Sequence, residues 1–155
     1  MSLLNDNLFS TIINHTPLIS IDLIIENEFK EILVGKRVNR PARGFWFVPG
    51  GRIRKNESLD VAFLRICKNE IGLSLPKINA EFYGVYEHFY NDSFYGDEFS
   101  THYVVLAYKF IIQKKSICPP FNQHNQYCWM SHFELTRDES VHNNTKAYFI
   151  NNNEK

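Results

Sequence analysis

The sequence predicts a layered α/β fold of the α+β kind around a mixed central sheet, and three observations carry that prediction. Segments rich in Ile, Val and aromatic residues recur along most of the chain. One stretch, from about Ser58 to Ile71, switches to helical spacing. Strands and helices do not alternate regularly, so a doubly wound stack of βαβ units is not expected. The 155 residues, 44% apolar and 22% charged, suit one domain over residues 1–155, with a core that needs no disulfides or structural metal to complete it.

The elements follow in order. Leu3, Leu4, Leu8, Phe9, Ile12 and Ile13 recur at helical spacing and Thr16-Pro17 ends the run, which predicts an opening amphipathic helix. PLISIDLIIENE reads as a largely buried strand with an acid, Asp22, at its middle. EILVGKRVN is a second strand, NRPARG a polar loop, and GFWFVPGG a short aromatic strand ending in a double glycine. Leu59, Ala62, Phe63, Ile66 and Cys67 form one stripe of the helix that Gly72 terminates. EFYGVYEHFY and THYVVLAYKFII are strands on either side of a turn-rich loop, and KKSICPPFNQHNQ is a second loop. YCWMSHFEL reads as a last strand, VHNNTKAYF as a short closing helix and INNNEK as a solvated tail. The aromatic residues Phe45, Trp46 and Phe47 and the run Phe82 to Tyr90 are expected in the core.

Composition narrows the function classes. Seventeen basic residues balance seventeen acidic ones, so no global field favours nucleic acid or an anionic membrane, and an anionic ligand must be held by a local cluster. Three cysteines, Cys67, Cys118 and Cys128, form no close pair and read as buried free thiols. The opening residues lack a basic, apolar leader, and no apolar run reaches a membrane span of ~20 residues, which predicts a cytoplasmic protein.

The chemistry concentrates between Gly51 and Leu73. On the helix stripe the position four residues beyond Ile66 is Glu70, an acid on an otherwise core-facing row. A buried carboxylate requires a cation, either arginine or metal. Arg52 and Arg54 lie on the turn before the helix and Arg65 within it, so carboxylate and guanidinium groups converge on what could be a pyrophosphate and metal site. Arg54 reads as a surface charge, Glu57 as the partner of Arg65, and Asp22 equally as a buried salt-bridge residue or a functional carboxylate. His15, His102, His132 and His142 read as packed or surface residues.

Gly51, Glu57, Arg65, Glu70, Gly72 and Leu73 stand at spacings that resemble the Nudix box, the signature of a superfamily of hydrolases acting on nucleoside diphosphates linked to another group. That resemblance implies a Nudix α/β/α sandwich. Ile66 and Asn69 occupy two positions that are glutamates in the full box, and an isoleucine can be neither ligand nor base. The same two absences characterise one branch, the GDP-mannose mannosyl hydrolases, which the chain also resembles through GKRVNRPARGFWFVPGGR, FYGVYEHFYNDSFYGDEFSTHYVVLAYKF, NQHNQY and VHNNTKAYF.

The branch resemblance implies a homodimer that hydrolyses GDP-mannose, or a related GDP-sugar, to GDP and the sugar by inverting substitution at the sugar carbon. It implies one Mg²⁺, or Mn²⁺ in its place, per subunit, held by the Gly50 carbonyl, Glu70 and Gln123. His124 would be the general base. Arg37, Arg52, Arg65 and Tyr103 would stabilise charge on the departing GDP, and Asp22 and His88 would contact the mannose. Two alternatives stand beside it: a Nudix pyrophosphatase that splits the P–O–P bond of nucleotide sugars or dinucleotides, and a scaffold that only binds nucleotide.

Overall fold

The computed structural model describes residues 4–117 and 124–150. The chain opens with helix α1 (Asp6–His15), whose N-cap Asn5 accepts from the Leu8 amide. Strands β1 (Leu18–Glu26) and β2 (Glu31–Arg37) follow, then β3 (Trp46–Phe47) and β4 (Gly50–Arg52). Helix α2 (Leu59–Ile71) leads to β5 (Glu81–Tyr90), β6 (Thr101–Ile111) and β7 (His124–Ser131). Helices α3 (His132–Arg137) and α4 (Asn143–Ile150) close the described chain. Among the described residues no helix is long and apolar enough to cross a membrane.

The strands form one mixed sheet in the order β3-β2-β1-β6-β5, with β4 also on β1 and β7 also on β2. Strand β1 pairs in parallel with β6 along its whole length, from Leu18↔Tyr103 to Glu26↔Ile111. Its other edge is divided. Ser20–Asp22 pairs with β4, and Glu26 pairs with Ile32 of β2. The sheet therefore forks at the middle of β1, and Asp22 stands at the fork.

Alternation along β1 serves two cores. Ile21, Leu23 and Ile25 pack against Ala62, Phe63, Ile66 and Ile71 of α2. On the other face Ile24 joins Leu135 of α3, Val141 and Tyr148 of α4. Helices thus cover both faces, the α/β/α arrangement expected from the resemblance. Ser58 caps α2 through the Val61 amide at 3.2 Å, and Gly72 ends it in the left-handed conformation (φ 73°). Cys67 is fully buried, and burial pushes its thiol up to about 12, while Cys128 is half-buried. Cys118 lies outside the described residues.

Three expectations need correction. GFWFVPGG is not one strand: Trp46–Phe47 pairs with β2, and after Val48-Pro49 the chain crosses to β1 as β4. The segment YCWMSHFEL changes from strand to helix at Ser131, because Ser131 and Glu134 form a reciprocal capping box, with each side chain accepting the other's backbone amide at 2.8 and 3.2 Å. The aromatic run of β5 is only partly core. Tyr90 is buried, but Phe82 and Phe89 are 54% and 64% exposed, because β5 is an edge strand and its second face has no covering layer among the described residues.

The turn from β4 into α2 is tied by Glu57. Arg65 donates from Nε to Oε1 at 2.6 Å and from Nη2 to Oε2 at 2.8 Å, and the Arg54 amide donates to Oε2 at 2.8 Å. These bonds, chiefly the Arg65 one, hold the Glu57 carboxyl at about 2 against an ordinary 4.5. A carboxyl depressed in this way contributes stability that is complete above pH 4.5 and is lost as the pH falls toward 2. Replacing Glu57→Gln is expected to lower the unfolding free energy at neutral pH by about 2 kcal/mol, the scale of charged hydrogen bonds. Urea unfolding across pH should show the gap to the natural protein narrowing below pH 4.5; a gap constant with pH would place the stabilisation elsewhere.

Candidate active site

The fork in the sheet creates an open cleft of about 200 Å³. Asp22 and Ser20 line it from β1, Gly50, Gly51 and Arg52 from β4, Arg37 from the end of β2, His88 and Tyr90 from β5, Tyr103 from β6, and Phe9 from α1. Phe47 and Val48 complete the wall.

The close fit of β4 on β1 requires a glycine. A Cβ added at Gly50 would collide with Asp22 Oδ1 and stand 2.7 Å from the Ile21 carbonyl oxygen. The Gly50 backbone and the Asp22 carboxylate are therefore immediate neighbours. Gly51 is filled from below, since its added Cβ would meet Ile66 Cγ1 at 3.1 Å.

One wall of the cleft is anionic. The Tyr148 hydroxyl donates to Asp22 Oδ2 at 2.6 Å and stands 3.3 Å from His88 Nε2. Burial raises the Asp22 carboxyl to about 6, against the opposing pull of Tyr148 and Arg37. Burial also lowers His88 to about 4, helped by the positive fields of His142 and Arg37, so His88 is neutral at physiological pH. The sequence reading did not single out Tyr148. Its only signal was position, as the apolar residue of the closing helix that carries a hydroxyl into the core.

The other side is cationic. The Arg37 guanidinium lies 5.2 Å over the Phe47 ring and that of Arg52 lies 4.7 Å over Phe9, so each is braced by an aromatic face. Burial, with Arg54 and Arg65 nearby, lowers the Arg52 pKa, the signature of a cation that a bound anion would stabilise. Tyr103, the cross-strand partner of His88, adds a hydroxyl whose pKa burial raises. Arg65 is not among the cleft-lining residues. Its guanidinium is held by Glu57 and by the Arg52 carbonyl, to which Nη2 donates at 2.8 Å, so it reaches the cleft through Arg52.

His142, read from sequence as packed or at the surface, packs beside the cleft: its ring stacks on Phe47 at 4.7 Å and stands 5.4 Å from that of Tyr90. His15 and His132 are exposed, and His102 stacks on Phe89 at 4.4 Å.

Glu70 is buried on the core-facing row of α2 that its spacing indicated. Burial raises its carboxyl to about 7, with Arg37 opposing and Asp22 adding to the rise. A carboxylate held so far above its ordinary range, in the field of a second one, is a site that a cation would stabilise. Among the described residues no three of His, Cys, Asp and Glu stand together as a metal cluster. The Glu70 carboxylate is a hard oxygen donor, of the kind that Mg²⁺ takes. Of the other residues expected here, Gln123 lies outside the described residues. His124 is described by its backbone only, as the residue opposite Arg37 in the β2–β7 ladder, next to a register shift.

Comparison with known proteins agrees with this architecture. The NUDIX domain family model matches residues 16–151. The chain is 40% identical over 104 residues to the low-salt glycan biosynthesis protein Agl8 of Haloferax volcanii, an overlap of 67% of this chain and 65% of that protein. It is 39% identical over 70 residues to an ADP-ribose pyrophosphatase of Methanocaldococcus jannaschii, covering 45% of this chain and 40% of the relative. The chain thus spans less than two thirds of the length of each of these relatives. The crystal structure of a MutT protein from Methanosarcina mazei superposes with a TM-score of 0.69 at 19% identity, over 87% of this chain and 92% of the other, a likeness of fold. With the forked sheet, the two covering helical layers and the box carried on β4 and α2, the chain belongs to the Nudix family of hydrolases.

Proposed function

We propose that the protein is a GDP-mannose hydrolase that breaks the bond between the sugar C1 and the diphosphate oxygen, releasing GDP and mannose with inversion. The observation that carries this reading is the polarity of one cleft. Asp22 and His88 form an acceptor wall suited to a sugar and Arg37 and Arg52 a cationic wall suited to a diphosphate, while Glu70, buried on α2 and not among the cleft-lining residues, stands without the two other helix carboxylates of the box. The glycan-biosynthesis name of the Haloferax relative supports a nucleotide-sugar substrate.

In this reading each residue has a task that follows from its charge. Cleavage at C1 leaves the sugar carbon electron-poor and the diphosphate electron-rich. The Asp22 carboxylate, ionised above about pH 6, offsets the first, and together with His88 it holds sugar hydroxyls. Arg37, Arg52 and the Tyr103 hydroxyl bind the second, with Arg65 fixing Arg52 from behind. Glu70, the Gly50 carbonyl and Gln123 would hold one Mg²⁺, or Mn²⁺ in its place, in each subunit; when bound it supplies Lewis-acid stabilisation of the diphosphate charge. His124 serves as the base that accepts a proton from the attacking water, an assignment supported by its register opposite Arg37. The apolar side chains exposed on the edge strand β5 support a homodimer.

A second reading, cleavage of the P–O–P bond, is favoured by the similarity to an ADP-ribose pyrophosphatase. Turnover of GDP-mannose in ¹⁸O-labelled water decides between them. Label is expected in mannose, with GDP as the nucleotide product; label in phosphate with release of GMP would overturn the C1 reading. A His124→Gln variant is expected to lose roughly 10²- to 10⁴-fold in kcat at neutral pH, the usual worth of a placed general base. Full retention of rate would remove His124 from that role.

Metal binding should carry the mark of Glu70. Its carboxyl, near 7 without a cation, must ionise to bind one, so a proton leaves as Mg²⁺ enters. Calorimetry in buffers of different ionisation heat is expected to find about half a proton released per Mg²⁺ at neutral pH. Release should fade at higher pH, and affinity should drop about tenfold per pH unit in acid. No proton release at neutral pH would take Glu70 out of the ligand set.

A further inference from the structure

We propose that Tyr148 is a positioning residue that fixes the tautomer of His88, and thereby makes the sugar-facing wall of the cleft a pair of acceptors. Such a wall selects a ligand that brings two hydroxyl hydrogens. The specificity half of this inference rests on the nucleotide-sugar reading above, whereas the tautomer half does not.

The argument is one of proton counting. A tyrosine hydroxyl has one hydrogen to donate. Its distance to Asp22 Oδ2, 2.6 Å, is that of an O–H donated to a carboxylate, whereas its distance to His88 Nε2 is 3.3 Å. The hydrogen therefore goes to Asp22, and the hydroxyl turns a lone pair toward His88. For that contact to be a hydrogen bond, Nε2 must carry the ring proton. His88 is buried and neutral, so it holds a single proton, and the lone pair falls to Nδ1. Among the described residues Tyr148 is the hydrogen-bond partner of the His88 ring, and the ring lines the cleft.

Two acceptors then share one wall. Asp22 Oδ1 lies against the Gly50 backbone with no hydrogen of its own, and His88 Nδ1 has only its lone pair. A ligand with two hydroxyl donors satisfies both. A ligand lacking one leaves a desolvated acceptor unpaired, and sites of this construction discriminate by several powers of ten. Tyr148 performs this without touching the ligand, because it is 1% exposed and sits in the core between β1 and α4.

The test begins with the natural protein free of ligand and metal. Long-range ¹H–¹⁵N correlation of the His88 ring is expected to give a protonated Nε2 and an unprotonated Nδ1; a protonated Nδ1 would overturn the proposal, whatever the substrate proves to be. In Tyr148→Phe the lost acceptor should shift His88 toward the Nδ1-protonated form, and an unchanged tautomer would show that Tyr148 does not set it. The kinetic arm compares nucleotide-diphosphate sugars each lacking one ring hydroxyl. The natural protein should lose about 10²-fold or more in kcat/KM against at least one of them, and Tyr148→Phe should cut that discrimination about tenfold. Discrimination unchanged in a variant whose tautomer has shifted would overturn the specificity half alone.

Discussion

The structure depends on how closely β4 lies on β1. Antiparallel pairing at Ser20–Asp22 brings the Gly50 backbone so near β1 that any side chain there would strike the Asp22 carboxylate and the Ile21 carbonyl. Two consequences follow from this one contact. The sheet must fork, since β1 cannot offer the same edge to β2 until Glu26, and the fork is the cleft. The second consequence is chemical: a backbone segment able to offer carbonyl oxygen is set beside an acid that lines the cleft. Neither arrangement could come from a strand that packed with ordinary side chains.

Electrostatics in the cleft then follow from burial. Two carboxyls, Asp22 and Glu70, sit in the same low-dielectric region and each is pushed upward, Asp22 to about 6 and Glu70 to about 7. Arg37 opposes both rises and adds to the burial that lowers His88 and His142, so one guanidinium at the end of β2 acts on four groups. The aromatic rings beneath Arg37 and Arg52 hold these cations in place without neutralising them. Glu57 takes up Arg65 outside the cleft, which leaves the charge of Arg52 available to a ligand while its backbone is fixed. The cleft is thus a dipole built from local clusters in a chain whose seventeen basic residues equal its seventeen acidic ones.

Much of this was legible in the residues, and the exceptions have physical causes. Periodicity located α2, its end at Gly72 and the inward position of Glu70, because a helical stripe is a local signal. The split of GFWFVPGG into β3 and β4 was not legible, since a change of strand partner is a long-range event that leaves little mark in eight residues. The Ser131–Glu134 capping box was present in the sequence but was outweighed by the strand character of the residues before it. Tyr148 escaped notice for another reason. A hydroxyl acting from within the core at a distance of 126 positions from Asp22 has no local pattern to reveal it.

Ile66 explains how the altered box remains a working part of the fold. At a position where the full box has a glutamate, Ile66 is 1% exposed, belongs to the core beneath β1 and stands against Gly51, where an added Cβ would approach its Cγ1 to 3.1 Å. A carboxylate in that seat would be buried in an apolar cluster against a backbone turn, and its desolvation would need a cation directly above it. With isoleucine there, the same volume is filled by a side chain that holds β4 down on α2. Ile66 thus packs α2 beneath the Gly50-Gly51 turn, and Glu70 is the acid on that row, one helical turn further along. Ile66 is fitted to its neighbours, so the seat of α2 and the closeness of the Gly50-Gly51 turn depend on one apolar side chain.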